Sequence, residues 1–167
     1  MPDSSGAAGA VDAPLAPALR ATALLAAVVV AADQASKDWA LGALRDGPID
    51  VVGSLRFNLS FNSGTAFSFG RGWGGVISLV GAVVVVVLLR GVLRWPGRLP
   101  VLASGLVAGG AVGNLVDRFL RDGDGFLGGR VVDFIDVQWW PIFNVADIGI
   151  CVGAGLLAVL SFRNPDA

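Results

Sequence analysis

The chain has 167 residues, 54% apolar and only 15% charged, with a formal net charge of -1 and a mean hydropathy of +0.72. Soluble domains carry about 25% charged residues, so this composition points to a membrane protein. There is no His and no Tyr, and the single Cys is Cys151, which excludes a Ser/His/Asp triad, a Cys/His dyad, a histidine-ligated zinc and an internal disulfide. All 13 acidic residues are Asp, so a carboxyl acting as general acid or base has to be an aspartate.

Residues 1–18 are rich in Ala, Pro, Gly and Ser without an amphipathic period, and are expected to form a disordered cytoplasmic tail. Four apolar segments follow, each a candidate for crossing a hydrocarbon core of about 30 Å, which takes about 20 residues. The first centres on Ala21 to Ala32 and extends from Leu19 towards Trp39; the second runs from about Trp73 to Leu89, the third from Leu99 to Val116, and the fourth from Ile148 to Phe162. The first also has the apolar length of a secretory signal peptide, but cleavage there would leave an odd number of spans, so it is read as retained. The expected fold is mainly α, a polytopic membrane protein with four transmembrane helices and a small extracytoplasmic β element. Residues 19–163 form one membrane domain and 164–167 a short cytoplasmic C-terminus.

Between the first two spans, Leu55, Phe57, Leu59 and Phe61 alternate with Arg56, Asn58, Ser60 and Asn62, the period of a half-buried strand with one polar face towards water. Asn62 to Thr65 reads as a turn. The connection between spans two and three holds Arg90, Arg94 and Arg98 with no acid among them, which places that loop, and with it both termini, on the cytoplasmic side.

With that topology the remaining polar residues gather near the outer face. Asp33 and Lys37 end span one on one helical side; Gly110, Asn114, Asp117, Arg118 and Arg121 recur along the outer part of span three; Asp133 sits in Val131-Val-Asp-Phe-Ile135; Asp147 opens span four. Several have a purely structural reading too. Asp33 with Lys37 fits an i,i+4 ion pair, Asp117 with its arginines a solvated helix end, and Asn144 with Asp147 a reciprocal helix cap. Gly109/Gly113 and Gly149/Gly153 suit close packing of spans three and four, and Asp122-Gly-Asp-Gly125 suits a turn better than a calcium loop, since no Glu can close it. Asp133 has no structural role visible in the sequence. Two carboxyls sharing a site hold one proton between them. One can then take a proton from water attacking an amide carbonyl, while the protonated partner polarises the carbonyl and later protonates the leaving nitrogen. The helix dipole favours ionised Asp147, and apolar flanks favour neutral Asp133. A proton-coupled transporter would instead place its aspartates near the bilayer midplane, and an assembly factor would have no use for Asp133.

Five motifs together closely resemble lipoprotein signal peptidase, also called signal peptidase II: Asp33-Gln-Ala-Ser-Lys37, Asn62-Ser-Gly64-Thr-Ala66-Phe67, Gly113-Asn114-Leu-Val-Asp117-Arg118, Val131-Val-Asp133-Phe134 and Phe143-Asn144-Val-Ala146-Asp147. They occur in the family's order and the likeness spans about residues 20–162. The resemblance implies an aspartic endopeptidase of the bacterial inner membrane that cuts diacylglyceryl-modified prolipoproteins just before the lipidated cysteine. It implies Asp133 and Asp147 as the catalytic pair, and Asp33, Lys37, Asn62, Gly64, Ala66, Asn114, Asp117, Arg118, Asn144 and Ala146 as residues that support the pair or hold substrate. It further implies membrane lipid as a partner, inhibition by globomycin, and no cofactor, metal or nucleic acid. The chain departs from the family pattern in its short connector between the catalytic motifs and in Ile148, where relatives commonly have Ser.

Overall fold

The computed structural model describes residues 15–63, 79–81, 83–87, 97–123 and 127–163. In chain order these form helix α1 (Leu15–Ala43), strands β1 (Ile49–Val52) and β2 (Leu55–Asn62), helix α2 (Arg98–Leu120), strand β3 (Val131–Asp136) and helix α3 (Val145–Arg163). The three helices hold 29, 23 and 19 residues, and each is long and apolar enough to cross a membrane. The expected span from Trp73 to Leu89 lies largely outside the described residues; those that are described, 79–81 and 83–87, are helical. The described residues therefore contain three candidate spans.

Among the three described long helices α2 is the middle one, packed on one side against α1 and on the other against α3. Missing Cβ atoms make both approaches possible. On α2, Gly105 and Gly109 meet Leu25, Ala26 and Val29 of α1, and Gly113 meets the Asp33 carboxylate; Gly110 meets Ala146 and Ile150 of α3. On α3, Gly149 faces the Leu106 carbonyl and Gly153 faces Val107 and the Ala103 carbonyl. The Gly149/Gly153 pair thus packs α3 on α2 as expected. Gly109 and Gly113 instead serve mainly the α1 contact, and the α3 contact belongs to Gly110. A one-residue step turns a helix by about 100°, which is enough to change the neighbour.

Beyond the bundle, the strands form an antiparallel sheet in the order β1-β2-β3. The expected strand at Leu55 is its central member, pairing Phe57 with Ile49 on one side and with Ile135 on the other. The sheet rests on the last turns of α1: Phe57, Leu59, Ile135 and Val145 pack against buried Ala40, Leu44 and Phe134. Trp39 meets Phe57 and Phe134 edge-on, with ring centroids 5.1 and 6.2 Å apart. The alternation holds less strictly than the sequence suggests. Phe61 is half exposed, and the polar face is not simply solvated, because Arg56 Nε and Asn58 Nδ2 donate to Asp136 Oδ2 at 2.8 and 3.2 Å. A register shift between Phe57 and Ser60 breaks the strict period.

Candidate active site

The site forms where the C-terminal half of α1, the C-terminal turns of α2, strand β3 and the first turn of α3 meet. Asp33 and Lys37 lie four apart on α1, one turn, so they share a face, and Nζ of Lys37 is 2.7 Å from Asp33 Oδ2. The same ammonium crosses to α2, 2.9 Å from Asp117 Oδ2 and 3.2 Å from Asn114 Oδ1. Lys37, Asp33 and Asp117 are all essentially without solvent exposure. A buried ammonium is tolerable only when every donor has an acceptor, and two carboxylates and an amide supply them.

The two carboxylates of this cluster then reach outward. Asp33 Oδ1 accepts the Ala146 N–H at 2.9 Å, so α1 satisfies a free donor at the positive end of the α3 dipole. Asp117 Oδ2 accepts the Val132 N–H at 3.1 Å, which ties β3 to α2, and Asp117 Oδ1 accepts Arg121 Nε at 2.8 Å. The reading of Asp117 as a solvated helix end therefore fails: it is a buried connector of three elements. Gln34, which no spacing in the chain marks as functional, donates from Nε2 to Asp33 Oδ2, the Gly113 carbonyl and Asp117 Oδ1 at 3.1, 3.1 and 3.3 Å. Its only signal in the chain was its place between Asp33 and Lys37 at the polar end of an apolar helix.

Asn144 caps α3 reciprocally. Its Oδ1 accepts the Asp147 N–H at 3.0 Å, and Asp147 Oδ2 accepts the Asn144 N–H at 3.1 Å. The i,i+3 spacing foretold that cap. The spacing could not reveal what the rest of the side chain does: Asn144 Nδ2 donates to Asp133 Oδ1 at 2.7 Å, to Asn114 Oδ1 at 3.1 Å and to the Val132 carbonyl at 3.3 Å. Asn114 Nδ2 completes the circuit by donating to Asp147 Oδ1 at 2.9 Å. Two amides thus join the carboxyls of Asp133 and Asp147, and the Asn62 amide donates to the other oxygen, Asp133 Oδ2, at 3.1 Å.

Asp133 is buried in β3 between Val132 and Phe134, while Asp147 is partly buried. Burial raises the Asp133 carboxyl to about 6, and the nearby negative charge of Asp147 pushes the same way, against the amides of Asn62 and Asn144 and the charge of Lys37. Arg118 is buried beside them and donates to the Gly129 carbonyl at 3.4 Å. Of the twelve candidate residues, Asp33, Lys37, Asn62, Asn114, Asp117, Asn144, Ala146, Asp133 and Asp147 are joined in one network of hydrogen bonds and ion pairs. Arg118 borders it, and Gly64 and Ala66 lie outside the described residues.

Comparison with known proteins gives a consistent picture. The family model described as Signal peptidase (SPase) II matches residues 25–163. The lipoprotein signal peptidase of Mycobacterium tuberculosis strain H37Rv is 42% identical over 95% of this chain and 80% of its own length. That of Rhodococcus jostii strain RHA1 is 45% identical over 83% of this chain and 70% of its own. A solved structure described as a bacterial membrane enzyme superposes with a TM-score of 0.74 at 25% identity, covering 87% of this chain and 89% of that one. With a matched segment that takes in every motif of the site, the chain belongs to the signal peptidase II family of membrane peptidases.

Proposed function

We propose that this chain removes the signal peptide from diacylglyceryl-modified prolipoproteins, cutting before the lipidated cysteine, and that Asp133 and Asp147 do so as an aspartic dyad acting directly through water. The observation that carries this reading is the pair of amides, Asn144 and Asn114, that hold the two carboxyls in one circuit. Family membership supplies the substrate class, and the inhibitor expected with it is globomycin.

In this mechanism ionised Asp147, at the N-terminus of α3, takes a proton from water as its oxygen bonds to the scissile carbonyl carbon. The neutral carboxyl of buried Asp133 donates towards the carbonyl oxygen. On collapse the C–N bond breaks, the nitrogen takes the proton that Asp147 accepted from water, the former carbonyl oxygen returns its proton to Asp133 as C=O re-forms, and the carboxyl and amine products leave the pair holding a single proton. The donors around Asp133 are fixed before substrate arrives, so little reorganisation is needed. Placing the loop at Arg90 to Arg98 in the cytoplasm puts both termini inside and the dyad at the outer face, where a lipidated helix can present its scissile bond while its acyl chains stay in the bilayer.

The test is cleavage of a diacylglyceryl-modified precursor by reconstituted protein. Asp133→Asn and Asp147→Asn should each fold normally and fail to cleave. Cleavage retained in either variant removes that residue from the dyad, and equal cleavage of an unlipidated precursor removes the substrate class.

A further inference from the structure

Past the end of β3 the chain makes a short excursion and returns. Phe143 donates its N–H to the Ile135 carbonyl at 3.1 Å and accepts the Ile135 N–H at 2.8 Å, closing a loop over residues 136–142 at its base. Inside the loop, buried Asp136 acts as a brace. Its Oδ2 accepts Arg56 and Asn58 of β2, and its Oδ1 accepts the Gln138 N–H at 2.7 Å. Gln138 in turn donates from Nε2 to the Ser54 carbonyl at 3.1 Å, in the turn between β1 and β2. Its φ is +68°, a backbone conformation rarely adopted by residues with a side chain. The loop is thus stiffly held in an unusual shape.

What this shape presents is Trp139 and Trp140, 76% and 62% exposed. Two adjacent indoles fixed outward, not folded in, call for a partner. The chain itself indicates which. Trp139 and Trp140 stand six and five positions before Val145, the first residue of α3, whose Ile148, Val152, Val159 and Phe162 are exposed along a helix apolar enough to span a membrane. The indoles therefore stand in the chain just ahead of the N-terminus of a helix suited to cross a membrane, where the chain leaves the hydrocarbon. That is the level at which Trp is favoured, its ring among the upper acyl carbons and its N–H among carbonyls and headgroups.

We infer that the loop carrying Trp139 and Trp140 seats in the headgroup–acyl boundary of the leaflet in which α3 begins, and that it fixes the depth of Asp147 relative to the lipid surface. Asp147 is the third residue of α3, so any tilt or sinking of the loop is passed to it through four residues and the Asn144 cap. Asp136 braces the loop from below through Arg56, Asn58 and the Gln138 N–H.

The experiment uses the full chain reconstituted in vesicles of phosphatidylcholine and phosphatidylglycerol, comparing wild type with Trp139→Phe, Trp140→Phe and the double variant. The emission lost on substitution is that of the loop. It should be quenched more by lipids brominated near the carbonyl end of the acyl chain than by those brominated near the methyl end, and be shielded from aqueous iodide. Iodide quenching as complete as for free tryptophan, with no effect of bromolipid, overturns the proposal. Shielding from iodide without bromolipid quenching assigns the loop to a protein or peptide contact and equally overturns it. The single variants keep the test alive if the double one does not fold.

Discussion

The ammonium of Lys37 donates to Asn114 Oδ1 at 3.2 Å, and so turns the Asn114 amide to present its nitrogen to Asp147 Oδ1, 2.9 Å away. An amide left to itself can flip, exposing a carboxylate to a second oxygen. Here the chain's single lysine sets the orientation, because Nζ can only donate. The geometry of Asp147 therefore depends on a charge on another helix.

Replacing that charge should be costly. In Lys37→Met, Asp33 and Asp117 lose their shared cation while buried, and the expected destabilisation is about 3–5 kcal/mol, the usual cost of breaking a buried pair. Denaturation in mild detergent measures it. An unchanged midpoint would show that the two carboxylates do not depend on Lys37.

Asn144 separates cap from catalysis. Asn144→Asp retains an oxygen for the Asp147 N–H but replaces the amide that donates to Asp133 and Asn114 with a further acceptor. The cap is kept, since Asp caps as well as Asn, but a third buried carboxyl facing Asp133 Oδ1 and Asn114 Oδ1 should cost about 1–3 kcal/mol of stability at neutral pH, with cleavage reduced by at least about 100-fold. Asn144→Ala should lose cleavage and, in addition, about 1 kcal/mol of cap stability. Equal activity of Asn144→Asp and wild type would show that the amide bridge has no part in the reaction.

The local parts of this site were legible in the chain. The Asp33–Lys37 pair and the Asn144–Asp147 cap are spacings within one helical turn, and the strand at Leu55–Asn62 announces itself by alternation. The parts that escaped are non-local. The attachment of Lys37 to Asp117, 80 positions away, has no period to betray it. Strand β1 is four residues long with all of them exposed, too short for alternation to register. Strand β3 is buried at five of six positions, so its run Val131 to Asp136 shows no polar face by which to recognise a strand. Asp133 stands out in the chain because a carboxylate in an apolar run has no local explanation, and its partners are contributed by β2 and by the α3 cap.

The acidity of Asp133 makes a prediction of sign as well as size. Burial, reinforced by Asp147, raises it from 3.8 to about 6 in the folded chain. The folded state then holds this proton more tightly than the unfolded one. That stabilisation is fully present below pH 3.8 and is lost as pH rises through about 6, a change of about 3 kcal/mol at 1.36 kcal/mol per unit. Comparing denaturation midpoints at about pH 4 and about pH 8 in wild type and Asp133→Asn isolates the contribution, which should vanish in the variant. Cleavage should decline above about pH 6 as the donor proton is lost, with a limiting slope of about one decade per unit. A rate that stays flat from about pH 5 to about pH 8 would mean that Asp133 does not supply the proton.

Helix spacing offers an independent handle on the dyad. A Cβ on Gly110 would run into the Ala146 carbonyl oxygen and lie 2.8 Å from Ile150 Cγ1, and neither backbone nor branched side chain can yield without parting α2 from α3. Gly110→Ala is therefore expected to cost about 1–3 kcal/mol despite the better helix propensity of Ala. Its effect on cleavage should be larger than on stability. Ala146 precedes Asp147, so displacing it draws the Asp147 carboxylate away from Asn114 Nδ2, and a shift of about 1 Å can cost about 100-fold in rate. Gly155, also on α3, is the control: nothing lies within 4 Å of its added Cβ, and Gly155→Ala should leave cleavage unchanged and add about 0.4–1 kcal/mol of stability. If the two variants behave alike, close approach of α2 and α3 at Gly110 is not what positions Asp147.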